Sequence, residues 1–218
     1  MSTVPGALAV LGRYRQLLDQ KRKLLASGRA GGLESWNELL AESAGALVAL
    51  RARYVADLAA ALARVQARTP LALPPLGVEY VPSPRAGVDG AAAILATLER
   101  VAERERERGM PLVGPHRDAL RLLWGGREVR SVASAGEGKA LGLLLAAAQG
   151  ELVAATGRDP VYLLDDADAE LDRDRLGAVW QAYPEAAQVL ATSSRPEVWD
   201  GIAVAARWQV RAGELSRS

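Results

Sequence analysis

The sequence contains no cysteine and only one histidine, His116, among its 218 residues. A disulfide framework is therefore excluded, and so is a zinc site built on cysteine and histidine. Long uncharged stretches are also missing: the best candidate, between Lys139 and Glu151, spans eleven residues, too few to cross a bilayer. Because 50% of the residues are hydrophobic, the chain can still bury a core. We expect a cytoplasmic globular protein of one or two domains without membrane contact.

The sequence also lacks the phosphate-binding loop GxxxxGK[ST], known as Walker A, whose backbone N–H groups cradle nucleotide phosphates. The segment that ends in GEGKA imitates this loop. However, Ala133 stands at the first glycine, and Ala140 stands at the serine or threonine that binds Mg²⁺. We therefore do not interpret the segment as a Walker A loop.

The most informative segment present is VYLLDDADAELD, from Val161 to Asp172. Its four leading apolar residues predict a strand buried on both faces, which ends at two adjacent carboxylates, Asp165 and Asp166. Nucleotide enzymes hold Mg²⁺ and position the attacking water with acids at this edge of a parallel sheet. A core strand that simply ends in solvent would give the same residues, so the segment alone leaves both interpretations open.

A second segment, SAGEGK from Ser134 to Lys139, precedes an apolar stretch that predicts a helix. A turn rich in serine and glycine at the start of a helix directs unpaired backbone N–H groups at an anion. The positive end of the helix dipole adds to this attraction. The segment therefore predicts an anion-binding turn about 25 residues upstream of the acid pair.

The order of these segments, with signature turn, helix, Walker B strand and AELD loop, resembles the C-terminal lobe of the ATP-binding-cassette ATPases that include the SMC and RecF proteins. The RecF family is similar in further segments: GPHRDAL resembles its GPHRDDL, LLDDADAELD its LLDDVxSELD, and LGRYRQLLDQKRKLL a helix of its arm domain. The resemblance runs from about Val10 to Glu214. It implies an α/β fold, the C-terminal lobe of a P-loop ATPase with an inserted helical arm. RecF proteins carry Walker A before the arm, so we expect this chain to begin inside the arm.

Three departures from the RecF pattern affect the expected contacts. Lys23 stands where the family has asparagine, and Ala119 replaces the second aspartate of GPHRDD. The usual Gln-Gln-Arg of the signature is Glu137, Gly138 and Lys139 here. The last departure bears on which side chain meets the phosphate.

The resemblance implies a role for each motif. ATP and Mg²⁺ would be held by Walker A and Walker B of one subunit and capped by the signature of a second, so that ATP joins a homodimer. Asp165 would hold Mg²⁺ through water, and Asp166 would orient or deprotonate the attacking water. The implied signature residues are Ser134, Gly136, Glu137, Gly138 and Lys139; those of the loop facing the partner are Glu170, Leu171 and Asp172; and those of a switch that senses the γ-phosphate are Thr192 and Ser193.

Charge is distributed unevenly along the chain. Residues 1–68 hold ten Lys or Arg against five Asp or Glu, whereas the remainder holds seventeen against twenty-one. The densest basic cluster consists of Arg13, Arg15, Lys21, Arg22, Lys23 and Arg29. These residues could bind a phosphate backbone, or they could simply form a helix face exposed to solvent. The resemblance implies binding to DNA at gaps or junctions of single and double strands, where RecF helps RecO and RecR to load RecA.

The pattern of apolar residues and turn signals predicts three parts. Residues 1–68 form a helical arm, an antiparallel pair of helices over Leu11–Leu25 and Glu34–Arg68; residues 69–87 form a proline-rich connection; and residues 88–218 form the lobe, mainly of parallel strands. The smaller expected elements are an edge strand over Gly77–Val81, a helix over Val88–Arg108, a hairpin of Leu120–Trp124 with Arg127–Val132, a helix from Arg173 to about Ala182, and a buried strand over Val189–Thr192. We expect His116 to be structural and Arg117 to pair with an acid.

Without Walker A, the chain alone is expected to be inactive, with no ATP bound. One alternative is an interaction or DNA-binding module that does not hydrolyse nucleotide. Another is the lobe of a different SMC-like ATPase, which would carry a much longer coiled-coil arm.

Overall fold

The computed structural model describes residues 4, 6–28, 32–84 and 90–217. Two helices open the chain, α1 over Ala7–Ala26 and α2 over Leu33–Arg68. Both helices and their packing against each other were predicted from apolar residues at helical spacing, and they are confirmed. The basic residue Arg29 lies outside the described residues.

The 36-residue helix α2 takes part in two hydrophobic cores. Leu40 and Leu47 in its first half pack with α1 and with helix α3, which spans Gly90–Arg108. Leu58 and Leu62 in its second half belong to the core of the C-terminal lobe. The arm core thus takes in α3 from beyond residue 68, while the division of the chain at residues 68 and 87 stays a prediction.

A buried ion pair crosses the arm core. The Lys21 Nζ atom of α1 lies 2.6 Å from the Glu105 Oε2 atom of α3, and both side chains are 0% exposed. The same ammonium donates a hydrogen bond of 2.8 Å to Asn37 Oδ1 on α2. Burial lowers the pKa of Lys21, and the contact with Glu105 opposes that shift. Lys21 therefore ties three helices together, and its inclusion in a DNA-binding surface is corrected.

The segment that leads into the lobe is an antiparallel sheet. Strand β1 is an edge strand, as predicted, and pairs with β2 in register from Leu76 opposite Trp124 to Val81 opposite Ala119. The predicted hairpin around Gly125 and Gly126 forms, but its second strand β3 has only two residues before the chain turns into the short helix α4. The bounds are β1 Leu76–Val81, β2 Ala119–Trp124, β3 Arg127–Glu128 and α4 Val129–Val132.

The lobe is built around α5, a helix of 20 residues. Strands β4 and β5 pair in parallel beside it, and β6 and β7 form a separate antiparallel hairpin. The expectation of mainly parallel strands is wrong, because the described residues contain a single parallel pair. The bounds are α5 Ala135–Ala154, β4 Val161–Leu164, α6 Arg173–Trp180, β5 Gln188–Ala191, β6 Trp208–Arg211 and β7 Glu214–Arg217, and single turns of 3-10 helix lie at Pro115–Arg117 and Pro196–Trp199.

Strand β4 is buried on one face only, so the prediction of burial on both faces is wrong. Tyr162 and Leu164 point into the core, where Gly150 of α5 leaves room for the Tyr162 ring. Val161 is 54% and Leu163 75% exposed on the other face. Strand β5 is likewise mostly exposed, because no second layer covers this face of the two-stranded sheet within the described part of the chain.

None of the helices described is both long and apolar enough to span a membrane.

The buried ion pair yields a stability prediction. Lys21→Met leaves the Glu105 carboxylate buried without its cation, so we expect the free energy of unfolding to fall by about 3–5 kcal/mol. Lys23→Met is the matched control: Lys23 is an exposed neighbour on α1, and its loss should change stability by less than about 0.5 kcal/mol. Urea denaturation measures both. Equal stabilities of the two variants would contradict the assigned role of Lys21.

Candidate functional site

The predicted signature turn lies at the start of α5. Ser134 is the residue that caps this helix, and its Oγ accepts a hydrogen bond of 3.3 Å from the backbone N–H of Glu137. The Glu137 carboxylate returns to accept from the Ser134 N–H and the Ser134 hydroxyl, both at 2.8 Å. This reciprocal capping box satisfies orphan N–H groups of the first turn and explains why the helix begins here.

The capping box places a carboxylate where the sequence predicts an anion. Two hydrogen bonds from Ser134 lower the pKa of Glu137, and the bond from the backbone N–H has the larger effect. The Glu137 side chain is therefore ionised. The Ser134 hydroxyl, which was expected to meet a phosphate, is engaged by this side chain. A phosphate could reach Ser134 only after Glu137 rotates away.

The acid pair lies at the carboxyl end of β4, as predicted. Asp165 Oδ1 accepts a hydrogen bond of 2.5 Å from the Thr192 hydroxyl, at the end of the neighbouring strand β5. The Thr192 Oγ1 atom also accepts from the Asp166 N–H at 2.9 Å. Asp166 itself has φ 46°, a left-handed conformation that costs energy for a residue with a side chain. The structure thus brings the predicted switch residue Thr192 into contact with both acids.

Oxygen ligands at this position suit Mg²⁺, which binds one or two carboxylates and keeps several waters. The Asp165 carboxylate and the Thr192 hydroxyl are such ligands, and both side chains lie on the exposed side of the sheet. Within the described ranges, no three acidic or histidine side chains cluster as a complete metal site. These donors therefore fit a Mg²⁺ ion that takes its other ligands from water and phosphate.

The turn after β4, here called the D-loop (Ala167–Asp172), depends on two residues that the sequence reasoning missed. The Asp168 carboxylate is 2% exposed and accepts from the Ser193 hydroxyl at 2.9 Å. The Arg195 Nε atom lies 3.3 Å from the same carboxylate. No signal in the sequence pairs Asp168 with Arg195, because their contact depends on how the end of β5 folds back over the loop.

The signature turn and the D-loop pack directly on each other. A Cβ atom on Gly136 would lie 2.5 Å from the carbonyl oxygen of Glu170, so only glycine fits at this contact. Lys139 Nζ donates a hydrogen bond of 3.3 Å to the backbone oxygen of Asp165. The predicted signature, acid pair and loop therefore form one continuous surface.

The other loop residues have local partners. Leu171 is buried in the core of the lobe, and the Glu170 backbone has φ 63°. Asp172 caps helix α6 by accepting from the Arg175 N–H at 2.8 Å. Gly138 lies in the first turn of α5 with open space beside it. Because it is buried, the Leu171 side chain is not available to a partner subunit. The expected contacts of Glu170 and Asp172 with a partner, and of Gly138 with nucleotide, remain a prediction.

The basic cluster on α1 is smaller than predicted. Arg13 pairs weakly with Glu42 at 3.4 Å, and Arg22 pairs with Asp19 at 3.1 Å. With Lys21 buried, the exposed basic residues of α1 are Arg13, Arg15, Arg22 and Lys23.

The GPHRDAL segment joins the arm to the antiparallel sheet. The Tyr14 hydroxyl of α1 and His116 Nδ1 share a hydrogen bond of 2.8 Å. Burial raises the pKa of Tyr14. Burial also lowers the pKa of His116, with the charges of Arg117 and Arg22 adding to the shift. His116 is thus a half-buried, neutral residue at an interface between elements.

The Asp118 carboxylate of the same segment accepts hydrogen bonds from α2, from β1 and from the loop after β1. Arg51 of α2 donates to its Oδ2 atom at 2.6 Å, the Tyr80 hydroxyl of β1 donates to the same oxygen, and the Ser83 N–H donates to Oδ1 at 2.8 Å. Arg117, which was expected to pair with an acid, has no carboxylate partner within the described part of the chain: its side chain is exposed and donates to the Pro111 carbonyl at 3.4 Å.

No protein-family model matches the chain. The DNA replication and repair protein RecF of Frankia alni is 36% identical over 237 aligned positions, which cover all of this chain and 63% of that protein. Two solved structures of the recombination mediator protein RecF of the RecFOR pathway, one with ATP and one with ATPrS, superpose with TM-scores of 0.78 and 0.75 at 21% and 22% identity. Both matches cover 99% of this chain and 59% of the solved chain.

The fold is mixed α/β and matches that of the solved RecF structures over nearly the whole described chain, which confirms the predicted α/β fold class. The chain is similar to RecF over its whole length, and this similarity is consistent with the predicted resemblance to the C-terminal part of that protein. It spans about three fifths of the length of the relatives it matches.

The contact between Gly136 and the D-loop makes a specific prediction. Gly136→Ala forces the added methyl group against the Glu170 carbonyl, so we expect a loss of about 1–3 kcal/mol in the free energy of unfolding, by the cost of overpacking. Gly138→Ala, two residues on in the same helix, meets open space and should be neutral or stabilising by up to about 1 kcal/mol. Thermal and urea unfolding compare the two. Similar values for both variants would show that the loop does not hold the signature turn.

Proposed function

We propose that this chain is the signature-bearing lobe of a RecF-type DNA-repair ATPase, which acts in an ATP-dependent dimer on DNA. The observation that carries the proposal is the packing of the signature turn, the acid pair and the D-loop into one surface, through the Gly136–Glu170 and Lys139–Asp165 contacts. The RecF relatives, one of them solved with ATP, support it.

Asp165 and Asp166 would take different parts in the reaction. Mg²⁺, when bound, neutralises charge that develops on the phosphates. Asp165 would hold the ion through water, helped by the Thr192 hydroxyl that fixes its carboxylate. Asp166, held in a strained turn directly after it, would orient or deprotonate the attacking water.

The signature would act on a nucleotide held by the partner subunit. Ser134 and the N–H groups of the first turn of α5, among them that of Gly136, point out of the helix start and would stabilise charge on the γ-phosphate. Glu137 would have to give up its bonds to Ser134 when the phosphate arrives. Asp172 would contact the partner.

The exposed face of β4 and β5 supports an incomplete nucleotide site. Leu163 and Leu190 are cross-strand neighbours on this face, and Asp165 and Thr192 continue it beyond the strand ends. An element that covers the apolar part would place its own groups beside the acid pair. We infer that a Walker A segment of the complete ATPase fills this place.

The basic residues of α1 would contribute to DNA binding that depends on salt rather than on sequence. By its RecF relatives, the complete protein would act at DNA gaps with RecO, RecR and RecA, in the cytoplasm. A second function is favoured by the Glu137 carboxylate, which occupies the signature turn where a phosphate would bind. In that case the chain is an interaction or DNA-binding module that does not hydrolyse nucleotide.

Association with a complete RecF subunit tests the proposal. The chain alone should show no ATP binding at micromolar concentration in titration calorimetry. Mixed with the Frankia alni RecF protein and ATP with Mg²⁺, it should form a mixed complex, in which its signature caps the nucleotide of the complete subunit. Light scattering or analytical ultracentrifugation detects this complex, which should be absent when ADP replaces ATP.

Ser134→Arg places bulk and a long side chain at the capping face and should abolish the mixed complex. Ser131→Arg, an exposed position three residues earlier on α4, is the matched control and should leave it intact. If the wild-type chain fails to associate in ATP, or if both variants behave alike, the proposed capping role is wrong.

A further inference from the structure

Asp168 is a buried carboxylate with a single cationic partner. Its side chain is 2% exposed, and the only charge that compensates it within the described chain is the Arg195 guanidinium, whose Nε lies 3.3 Å away. Burying a carboxylate costs several kcal/mol unless a cation and hydrogen bonds offset it. The roles proposed above for Asp165, Asp166 and the signature use neither Asp168 nor Arg195.

The Arg195 guanidinium also holds the backbone of the D-loop. Its Nη2 atom donates to the carbonyl oxygens of Asp168 and Leu171, the latter at 3.0 Å. One planar side chain thus bridges a carboxylate and two carbonyl groups, a fork that a lysine cannot reproduce. The loop needs such a restraint, because Glu170 within it and Asp166 directly before it both have positive φ, at a cost on the order of 1–3 kcal/mol each.

The restrained loop lies between two parts of the proposed ATP machinery. On one side, the Ala167 N–H donates to the Thr192 carbonyl at 3.2 Å, next to the Thr192 bond to Asp165. On the other side, the Glu170 carbonyl packs against Gly136 of the signature turn. The first side would serve the subunit's own nucleotide, and the second would serve the nucleotide of the partner.

We propose that Arg195 is a positioning residue that locks the D-loop between the end of β5 and the signature turn, so that the acid pair and the signature move as one body. The meaning of this link for nucleotide rests on the proposed function. The link itself is a property of the chain and can be measured without nucleotide.

Hydrogen exchange of single amides in the full 218-residue chain tests the lock. Arg195→Ala removes hydrogen bonds from a charged donor, so protection of the Ala169 and Leu171 amides should fall on the order of 10-fold or more. Protection of the Gly138 amide in the signature turn should fall in the same variant, whereas amides of α1 and α2 should be unchanged. Arg173→Ala is the matched control, because Arg173 is an exposed arginine directly after the D-loop whose guanidinium donates to the Glu197 carbonyl rather than to the loop.

Arg195→Lys distinguishes the hydrogen bonds of the guanidinium from the charge pairing with Asp168. It also provides a second test if the alanine variant does not fold. The lysine keeps a cation beside Asp168 but cannot hold both carbonyls, so the D-loop and Gly138 amides should still lose protection. The proposal is overturned if lysine restores wild-type protection, if the D-loop loosens while Gly138 does not, or if Arg173→Ala gives the same pattern. None of these outcomes depends on whether the chain caps ATP, so the lock and the proposed function fail or stand separately.

Discussion

The close approach between Gly136 and the Glu170 carbonyl is the contact on which the site depends. The N-terminal end of α5 would otherwise be an ordinary capped helix start, and the acids after β4 an ordinary strand end. The contact sets the distance between them with backbone atoms, which leave little room for adjustment. The contact also gives a reason for the strained backbone of Asp166 and Glu170, because this turn brings a carbonyl group of the D-loop to the signature.

Helix α2 gives the molecule its second constraint. Leu47 lies in the arm core and Leu62 in the lobe core, so one rigid element transmits the position of one core to the other. Arg51 adds a polar link midway, through Asp118 of the GPHRDAL segment. That segment therefore has a clear structural role at the junction of the arm and the sheet, and its histidine and aspartate are explained by it.

Much of this organisation could be predicted from the sequence, and the failures have physical causes. Helical spacing located α1 and α2, and the order of the motifs indicated the fold, because both are local signals. Lys21 was misplaced because a lysine among arginines suggests a solvated face, and only the tertiary partner Glu105 reveals its burial. The exposure of Leu163 could not be predicted either, since an apolar strand gives no sign of whether a second layer covers it. Asp168 and Arg195 were missed because they meet only after folding.

In the proposed dimer, the turn from Ser134 to Lys139 meets the γ-phosphate of a nucleotide held by another subunit. The most direct measurement uses an ATP analogue with a photoreactive group on its γ-phosphate, bound to a complete RecF subunit and irradiated in the presence of this chain. The sites of attachment are then located by mass spectrometry. We expect labelling of the chain within residues 134–139, and unlabelled ATP should compete with it. Labelling confined to other parts of the chain, or none at all in a complex that forms, would contradict it.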